Sequence, residues 1–200
     1  MLITKIEAGK NQRFRVYGDE QFLFSLYNKE LEYYNIQENL EVDDILIFNI
    51  IDNIIYKRAR ERALYLLERR AYSVRMLRDK LYANEYPESV IDQVCSFLKQ
   101  YNYLNDADYI SMYMNSCSGC KSKKQLTYDL SRKGISKEDI ELYFQKNVYS
   151  EQQSFEKLFQ RYLKGKDLAD YSTRQKVFRY FYSKGFPISL IECYIKGEEV

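Results

Sequence analysis

Three segments of the chain carry the same pattern of hydrophobic and polar positions. They read SVRMLRDKLYANEYPESVIDQV, SKKQLTYDLSRKGISKEDIELY and TRQKVFRYFYSKGFPISLIECY, and they align without a gap. Each segment places two apolar residues four positions apart, which puts both on one face of a helix. The pairs are Leu77 and Leu81, Leu126 and Leu130, and Val177 and Phe181. The pattern predicts three tandem repeats of one helical unit.

A hydroxyl residue is predicted to begin the first helix of each segment. Its side chain can accept a hydrogen bond from the free amides of the first turn, which makes it a good N-cap. The expected caps are Ser73, Ser122, and Ser172 or Thr173. A glutamine lies three positions after Ser122 and after Ser172, which is the spacing of a capping box.

Each of these helices is predicted to end at a residue that tolerates the left-handed conformation. Gly134 and Gly185 have this role in the second and third segments, and Asn84 replaces glycine in the first. An apolar residue follows each stop, and then a second helix begins. The starts and inward residues of the second helices are Pro87 and Ile91, Ser136 and Ile140, and Pro187 and Ile191.

One further helix precedes each pair, within RARERALYLLERR, DADYISMYMNSC and QSFEKLFQRYLKG. The unit therefore has three helices and a period of roughly 50 residues, and a unit this small is expected to borrow its core from its neighbours. The predicted fold class is mainly α, with tandem three-helix, helix-turn-helix-like repeats that form a curved elongated rod. A small β-rich subdomain is expected at the N-terminus.

The pattern before the repeats indicates β structure. The runs LITKIEA, FRVYG and FLFSLY are separated by the polar turns GKNQ and GDEQ, which predicts a small antiparallel sheet. A helix is expected after Asn28 as N-cap. VDDILIFNIIDNII suits either a second helix or a buried strand, and the helix is preferred. The predicted domains are residues 1–52, 53–104, 105–149 and 150–200.

Composition indicates a soluble globular protein with no evident catalytic site. The 200 residues are 46% hydrophobic and 30% charged, and no apolar run approaches the roughly 20 residues that cross a bilayer. The N-terminus lacks the apolar region of a signal peptide, so a cytoplasmic location is expected. Histidine is absent and only 7 residues are glycine. Because no nucleophile has a plausible base nearby and no phosphate loop is evident, neither catalysis nor a cofactor is expected.

Four cysteines leave metal and redox chemistry as alternatives. Cys117 and Cys120 have the CxxC spacing that can hold zinc or exchange disulfides. Without histidine or a second CxxC, a zinc site would have to recruit Cys95 and Cys193. Those two residues lie on predicted apolar helix faces, which favours packing in the core. No metal is therefore expected, and a thiol oxidoreductase is a minor alternative.

Charge is unevenly distributed, although the formal net charge is only +2. Acids predominate before Tyr56, whereas nine Lys and Arg residues face three acids between Lys57 and Lys80. Such a cationic field attracts phosphates or an acidic protein surface. A solvated helix face is the alternative interpretation. The predicted partner- or DNA-binding residues are Arg58, Arg62, Arg69, Arg70, Arg75 and Lys80, with a second cluster at Lys121, Lys123 and Lys124.

The segment RALYLLERRAYSVRMLRDKL, followed by YLNDADYI, resembles the RecX regulatory proteins, bacterial modulators of the RecA recombinase. Their Arg-x-x-Ser-x-x-x-Leu-x-x-x-Leu motif corresponds in this chain to Arg70, Ser73, Leu77 and Leu81. The resemblance extends from about Tyr56 to the end of the chain, and the N-terminal ITKIE is similar to that of Gram-positive members. The third repeat departs most from the family pattern.

The resemblance implies binding and not catalysis. RecX proteins attach to the RecA filament on single-stranded DNA and limit its extension, its ATP hydrolysis and strand exchange. This activity belongs to DNA repair by homologous recombination and to the SOS response. The expected partner is therefore the RecA filament on single-stranded DNA. A monomer is expected, and any direct binding to DNA is expected to be weak.

A helix-turn-helix DNA-binding regulator without a recombinase partner is the alternative function. In such a protein, one helix of a repeat reads the major groove with basic and amide side chains. The helix after each turn instead carries acids. These are Glu88 and Asp92, Glu138, Asp139 and Glu141, and Glu192. The acids therefore disfavour this alternative.

Overall fold

The chain forms two structural units, Met1–Asn105 and Asp106–Val200. The computed structural model describes residues 1–117, 119 and 121–197. The first unit contains a β-sheet and the first three-helix repeat, and the second unit contains the other two repeats. Within the described residues, no helix has the length and apolar character that spanning a membrane requires. The finer domain boundaries remain predictions.

The first unit opens with a three-stranded antiparallel sheet in the order β1-β2-β3. The strands are β1 (Ile3–Ala8), β2 (Arg13–Gly18) and β3 (Gln21–Tyr27). Val16 pairs with Phe24 across the central strand, and both side chains are fully buried. The predicted sheet is confirmed.

Helix α1 (Asn28–Tyr33) follows β3 directly, and its N-cap differs from the prediction. The cap is Tyr27, whose backbone amide donates to the Glu30 carboxylate at 2.8 Å. Asn28 already lies in the first turn, where its side-chain amide donates to Glu32 at 2.6 Å. The prediction of Asn28 as cap was wrong because the chain turns from strand into helix one residue earlier.

The ambiguous apolar run is helical, as preferred. Helix α2 (Asp44–Ile50) has Asp43 as N-cap, which accepts from the backbone amide of Ile45 at 2.9 Å. A π-helical segment (Ile51–Tyr56) continues α2 into helix α3 (Lys57–Arg69). The backbone keeps right-handed helical torsion angles at both junctions, so the helix is continuous. Its inward residues include Ile47, Ile50, Ile55, Ala59 and Ala63.

The three helical repeats have the predicted order. The first repeat consists of α3, α4 (Val74–Tyr82) and α5 (Glu88–Gln100). The second consists of α6 (Asp106–Ser116), α7 (Lys123–Arg132) and α8 (Lys137–Lys146), and the third of α9 (Glu151–Leu163), α10 (Tyr171–Ser183) and α11 (Ile188–Lys196). The predicted inward residues are all buried: Leu77, Leu81, Ile91, Leu126, Leu130, Ile140, Val177, Phe181 and Ile191.

Two of the three predicted helix caps are confirmed. Ser73 accepts from the amide of Met76 at 3.2 Å, and Ser122 accepts from that of Gln125 at 3.1 Å. In the third repeat the cap is Asp170, whose carboxylate accepts from the backbone amides of Ser172 and Thr173 at 3.1 Å each. The predicted hydroxyl caps, Ser172 and Thr173, were wrong because helix α10 begins before them.

The predicted stops are confirmed at Gly134 and Gly185, whose φ angles are 85° and 81°. In the first repeat the left-handed residue is Glu85, with φ 61°, and not Asn84. Glu85 aligns with the two glycines, so the backbone turn is the same in all three copies. The next residue closes each turn by donating its amide to the helix, in the pairs Tyr86 to Leu81, Ile135 to Leu130 and Phe186 to Phe181.

Two hydrophobic cores are described, one in each unit. In the first unit, one core runs from the sheet through the first repeat and includes Cys95. The third repeat contains a largely aromatic core, formed by Phe155, Phe159, Val177, Phe181, Phe186 and Ile191. Polar bonds also join it to the second repeat, because Ser122 Oγ donates to the carbonyl of Lys184 at 2.6 Å.

Candidate partner-binding surface

The outer side of α3 carries a basic and aromatic surface. Arg62, Tyr65 and Arg69 are spaced by three and four residues, which places them on one face, and all three are exposed. The guanidinium carbons of Arg62 and Arg69 lie 5.3 and 4.4 Å from the centroid of the Tyr65 ring. Arg70, at the end of the helix, lies 4.4 Å from the ring centroid of Tyr72. These four residues, Arg62, Tyr65, Arg69 and Arg70, are called the basic face of α3.

The arginines of the basic face lie outside the described ion pairs. The ion pairs found among residues 1–117, 119 and 121–197 include none of Arg62, Arg69 and Arg70. The exposed Glu61 and Glu68 adjoin Arg62 and Arg69 in the sequence without pairing with them. A tyrosine ring orients a guanidinium group and stabilises it by about 0.5–1 kcal/mol at an exposed site, without neutralising it. The basic face therefore presents three oriented cations to solvent.

Arg58 is engaged by other residues of the first unit and is not part of this surface. Its half-buried guanidinium pairs with the carboxylate of Glu30 on α1 and lies 4.9 Å from the ring centroid of Tyr27. It also donates to the carbonyl of Ser25 at 3.5 Å. These contacts hold α3 against β3 and α1. A binding role for Arg58 remains a prediction that no contact here supports.

The other two predicted residues of the first unit, Arg75 and Lys80, are exposed on α4. Neither forms an ion pair with another residue in the described part of the chain. Arg78, which lies between them, was not predicted to bind. It pairs with Asp92 and Glu88 on α5 and so contributes little free charge.

The second predicted cluster is divided between two environments. Lys121 Nζ donates to Asp129 at 2.7 Å and to the Tyr113 hydroxyl at 2.8 Å. Burial disfavours its charged form, but these hydrogen bonds outweigh burial and raise the pKa of Lys121. Lys123 and Lys124 instead lie exposed at the start of α7. Lys121 is therefore committed to an internal network, while the other two remain available to a partner.

The cysteines occupy several environments. Cys95 is buried, as predicted, and burial raises the pKa of its thiol. Cys117 and Cys193 are half-buried. Cys120 lies outside the described residues, so the prediction about the CxxC pair falls partly outside them as well. Within the described ranges, no three metal-ligating side chains are grouped so that they could hold an ion.

The sequence pattern missed the aromatic half of the basic face. Tyr65 was not singled out, although it lies three residues after Arg62 and four before Arg69. That spacing places an aromatic ring between two cations on one side of a helix. A search for arginine and tyrosine at helical spacing would have found it.

Comparison with known families matches three parts of the chain to RecX. Residues 1–43 match the RecX N-terminal domain, residues 59–98 its first three-helix domain and residues 150–195 its third three-helix domain. The regulatory protein RecX of Clostridium beijerinckii is 30% identical over 200 residues, which cover 97% of this chain and 94% of the relative. That of Clostridium perfringens strain SM101 is 34% identical over 191 residues, covering 92% and 90%.

Solved structures share the fold. A crystal structure of regulatory protein RecX aligns with a TM-score of 0.64 over 98% of this chain and 99% of that one, at 24% identity. RecX from Lactobacillus salivarius aligns with a TM-score of 0.60 over 72% and 96%, at 23% identity. The sequence matches extend over nearly the whole chain and include both the N-terminal sheet and the helical repeats. On these grounds, the chain belongs to the RecX family of regulatory proteins.

Proposed function

We propose that this protein binds the RecA recombinase filament on single-stranded DNA and inhibits its extension, its ATP hydrolysis and strand exchange. Membership of a family of regulatory proteins supports a regulatory role. The observation that carries the proposed mode of binding is the basic face of α3, whose three arginines lie against tyrosine rings and outside the described ion pairs. Binding by a surface of this kind needs no catalytic group and no cofactor, and it takes place in the cytoplasm, where the filament forms.

The chemistry of the basic face suits a filament built from protein and nucleic acid. Arginine binds carboxylates and phosphates through two parallel hydrogen bonds, and its planar group stacks on aromatic rings and on bases. Arg75, Lys80, Lys123 and Lys124 add exposed cations that would strengthen attraction at long range. The protein would occupy the filament as a monomer and thereby oppose subunit addition or conformational change.

Reading of duplex DNA by a helix-turn-helix is less well supported. The first turn of α5 begins with Glu88, and Asp92 follows one turn later. Both acids pair with Arg78, so this start of the helix presents ion pairs and not free cations. The start of α8 carries Glu138 and Asp139. Direct contact with DNA is therefore proposed to be weak and confined to the phosphate backbone.

The decisive experiment compares the wild type with Arg62→Glu/Arg69→Glu. Both residues are exposed, and the inward residues Ala59 and Ala63 are unchanged, so the variant should fold. We expect the variant to lose most inhibition of filament ATP hydrolysis. The inhibition by the wild type should also weaken as salt rises, because contacts of arginine with carboxylates and with phosphates are both electrostatic.

A matched control reverses two exposed cations elsewhere, in Arg161→Glu/Lys164→Glu. This control changes the net charge by the same amount, so it should retain inhibition if position matters and not only total charge. Binding to bare single-stranded DNA, measured in parallel, separates contact with phosphate from contact with protein. If Arg62→Glu/Arg69→Glu inhibits as strongly as the wild type at every salt concentration, the basic face is not the binding surface.

A further inference from the structure

A second surface of the first unit is apolar although it is exposed to solvent. Ile45 and Phe48 lie one turn apart on α2, and each exposes 67% of its surface. Ile47 and Ile50, on the opposite side of the same helix, are buried in the core. A surface helix normally has one apolar side, and a helix that is apolar all round is normally covered. Ile45 and Phe48 are called the α2 patch.

Acidic residues flank the α2 patch along the helix. Asp44 lies four residues before Phe48 and Asp52 four residues after it, so all three side chains lie on one face. Both aspartates are exposed. Asp44 also pairs with the N-terminal amine of Met1 at 3.3 Å. The patch is therefore an apolar surface bordered at both ends by carboxylates.

This combination selects the class of partner. The carboxylate of Asp52, which forms no ion pair among the described residues, repels the phosphates of nucleic acid, so DNA is a poor occupant. Exposed apolar side chains bordered by charge are typical of protein interfaces, where aromatic residues contribute much of the affinity. Charge complementarity then requires a lysine or arginine opposite Asp52. The fitting partner is a protein with an apolar side chain beside a basic residue.

We propose that the α2 patch docks such a protein surface, and that this surface belongs to a recombinase subunit of the filament. The identity of the subunit rests on the proposed function, whereas the chemistry of the partner rests on the patch itself. The basic face of α3 lies on the same continuous helix. Phe48 and Arg62 are 14 residues apart (62 − 48), or roughly 20 Å at the rise of an α-helix. One helix thus presents two contacts of opposite charge.

A photo-crosslinking residue tests the proposal directly. We would replace Phe48 by benzoylphenylalanine and irradiate the protein with filaments on single-stranded DNA. The control places the same residue at Tyr33 on α1, which is 81% exposed. We expect the probe at position 48 to form a covalent product with the recombinase, and the control to form much less. A product between two copies of this chain, a product with DNA, or no excess over the control would overturn the proposal.

A variant gives the second measurement. Ile45→Ser/Phe48→Ser shortens two side chains that are mostly exposed, so its melting temperature should remain near that of the wild type. We expect its affinity for filaments to fall about tenfold, since truncation of an aromatic anchor commonly costs at least that much. Equal filament binding by the variant and the wild type would overturn this proposal and leave the proposed function standing. Failure of the wild type itself to bind filaments would instead overturn the proposed function.

Discussion

The carboxylate of Glu85 accepts a hydrogen bond from the backbone amide of Lys10 at 2.9 Å, which joins the end of α4 to the turn between β1 and β2. The same turn satisfies two carbonyls at the end of the helix. The Lys10 ammonium group donates to Ala83 at 2.9 Å, and the Arg13 guanidinium group donates to Asn84 at 2.7 Å. Cations at this end are favourable because the helix dipole is negative there. The β-hairpin is therefore the C-terminal cap of α4.

Replacing Glu85 should separate its two roles. In Glu85→Ala the left-handed backbone remains strained while the bond to Lys10 is lost, so we expect a loss of about 1–2 kcal/mol. In Glu85→Gly the same bond is lost, but glycine relieves about 1 kcal/mol of backbone strain. Urea unfolding should therefore rank the glycine variant as the more stable of the two. The reverse order would contradict this account of the turn.

Reversing Arg58 should destabilise the first unit, in contrast to reversing Arg62. Arg58→Glu places a second carboxylate beside Glu30 and removes the cation from the Tyr27 ring. We expect a loss of about 2 kcal/mol or more, measured by thermal unfolding. Arg62→Glu should change stability by less than about 0.5 kcal/mol because it is an exposed surface substitution. Recovery of part of the loss in Glu30→Arg/Arg58→Glu would assign it to the pair.

Ser122 should matter more than an ordinary helix cap. Its buried hydroxyl accepts from the amide of Gln125 and donates to the carbonyl of Lys184, so its loss leaves two groups unpaired. We expect Ser122→Ala to cost about 2–3 kcal/mol in urea unfolding. Ser136 caps α8 on an exposed surface, and Ser136→Ala should cost only about 1 kcal/mol. Equal losses would show that the contact with Lys184 contributes nothing.

Asp170 should make the stability of the second unit depend on acid pH. Hydrogen bonds from Ser172 and Thr173 lower the pKa of its carboxyl to about 2. A carboxyl with a lowered folded-state pKa stabilises the fold above its unfolded pKa, and that contribution is lost as the pH falls through the folded pKa. The contribution of Asp170 should therefore disappear between about pH 4 and pH 2. Asn caps helices without titrating, so the stability difference between the wild type and Asp170→Asn should change across this window only.

The repeats could be predicted because their signals are local. Leu77 and Leu81 lie on one helix face at any position in a protein, and Gly134 ends a helix wherever a left-handed residue is needed. Glu85 could not be found in the same way. Propensity favours its neighbour Asn84, and the reason for a glutamate is the distant amide of Lys10. The third cap was missed because the N-cap of α10 is Asp170, which lies two residues before Ser172.

Individual site residues were harder to predict because charge in a sequence does not reveal its partners. Arg58 and Arg62 are equivalent in helical spacing, yet Glu30 engages only Arg58, from 28 residues away. Lys121 is likewise held by Asp129, whereas Lys124 is exposed. The α2 patch could not be predicted for a different reason. The sequence of an apolar run does not indicate which of its residues are buried, and α2 has apolar residues on both sides.

The π-helical segment (Ile51–Tyr56) fixes the rotational phase between the α2 patch and the basic face of α3. Each residue of an α-helix advances the side-chain direction by about 100°, because a turn contains 3.6 residues. A π-helix bonds residue i to residue i+5, so its turn is wider and each residue advances the direction by less. Conversion of this segment to α-helix, with no residue removed, would therefore turn one surface about the helix axis relative to the other. Both surfaces would keep their chemical groups but face different directions. A single partner could then no longer contact both at once, so the π-helical geometry of this segment is itself a determinant of recognition.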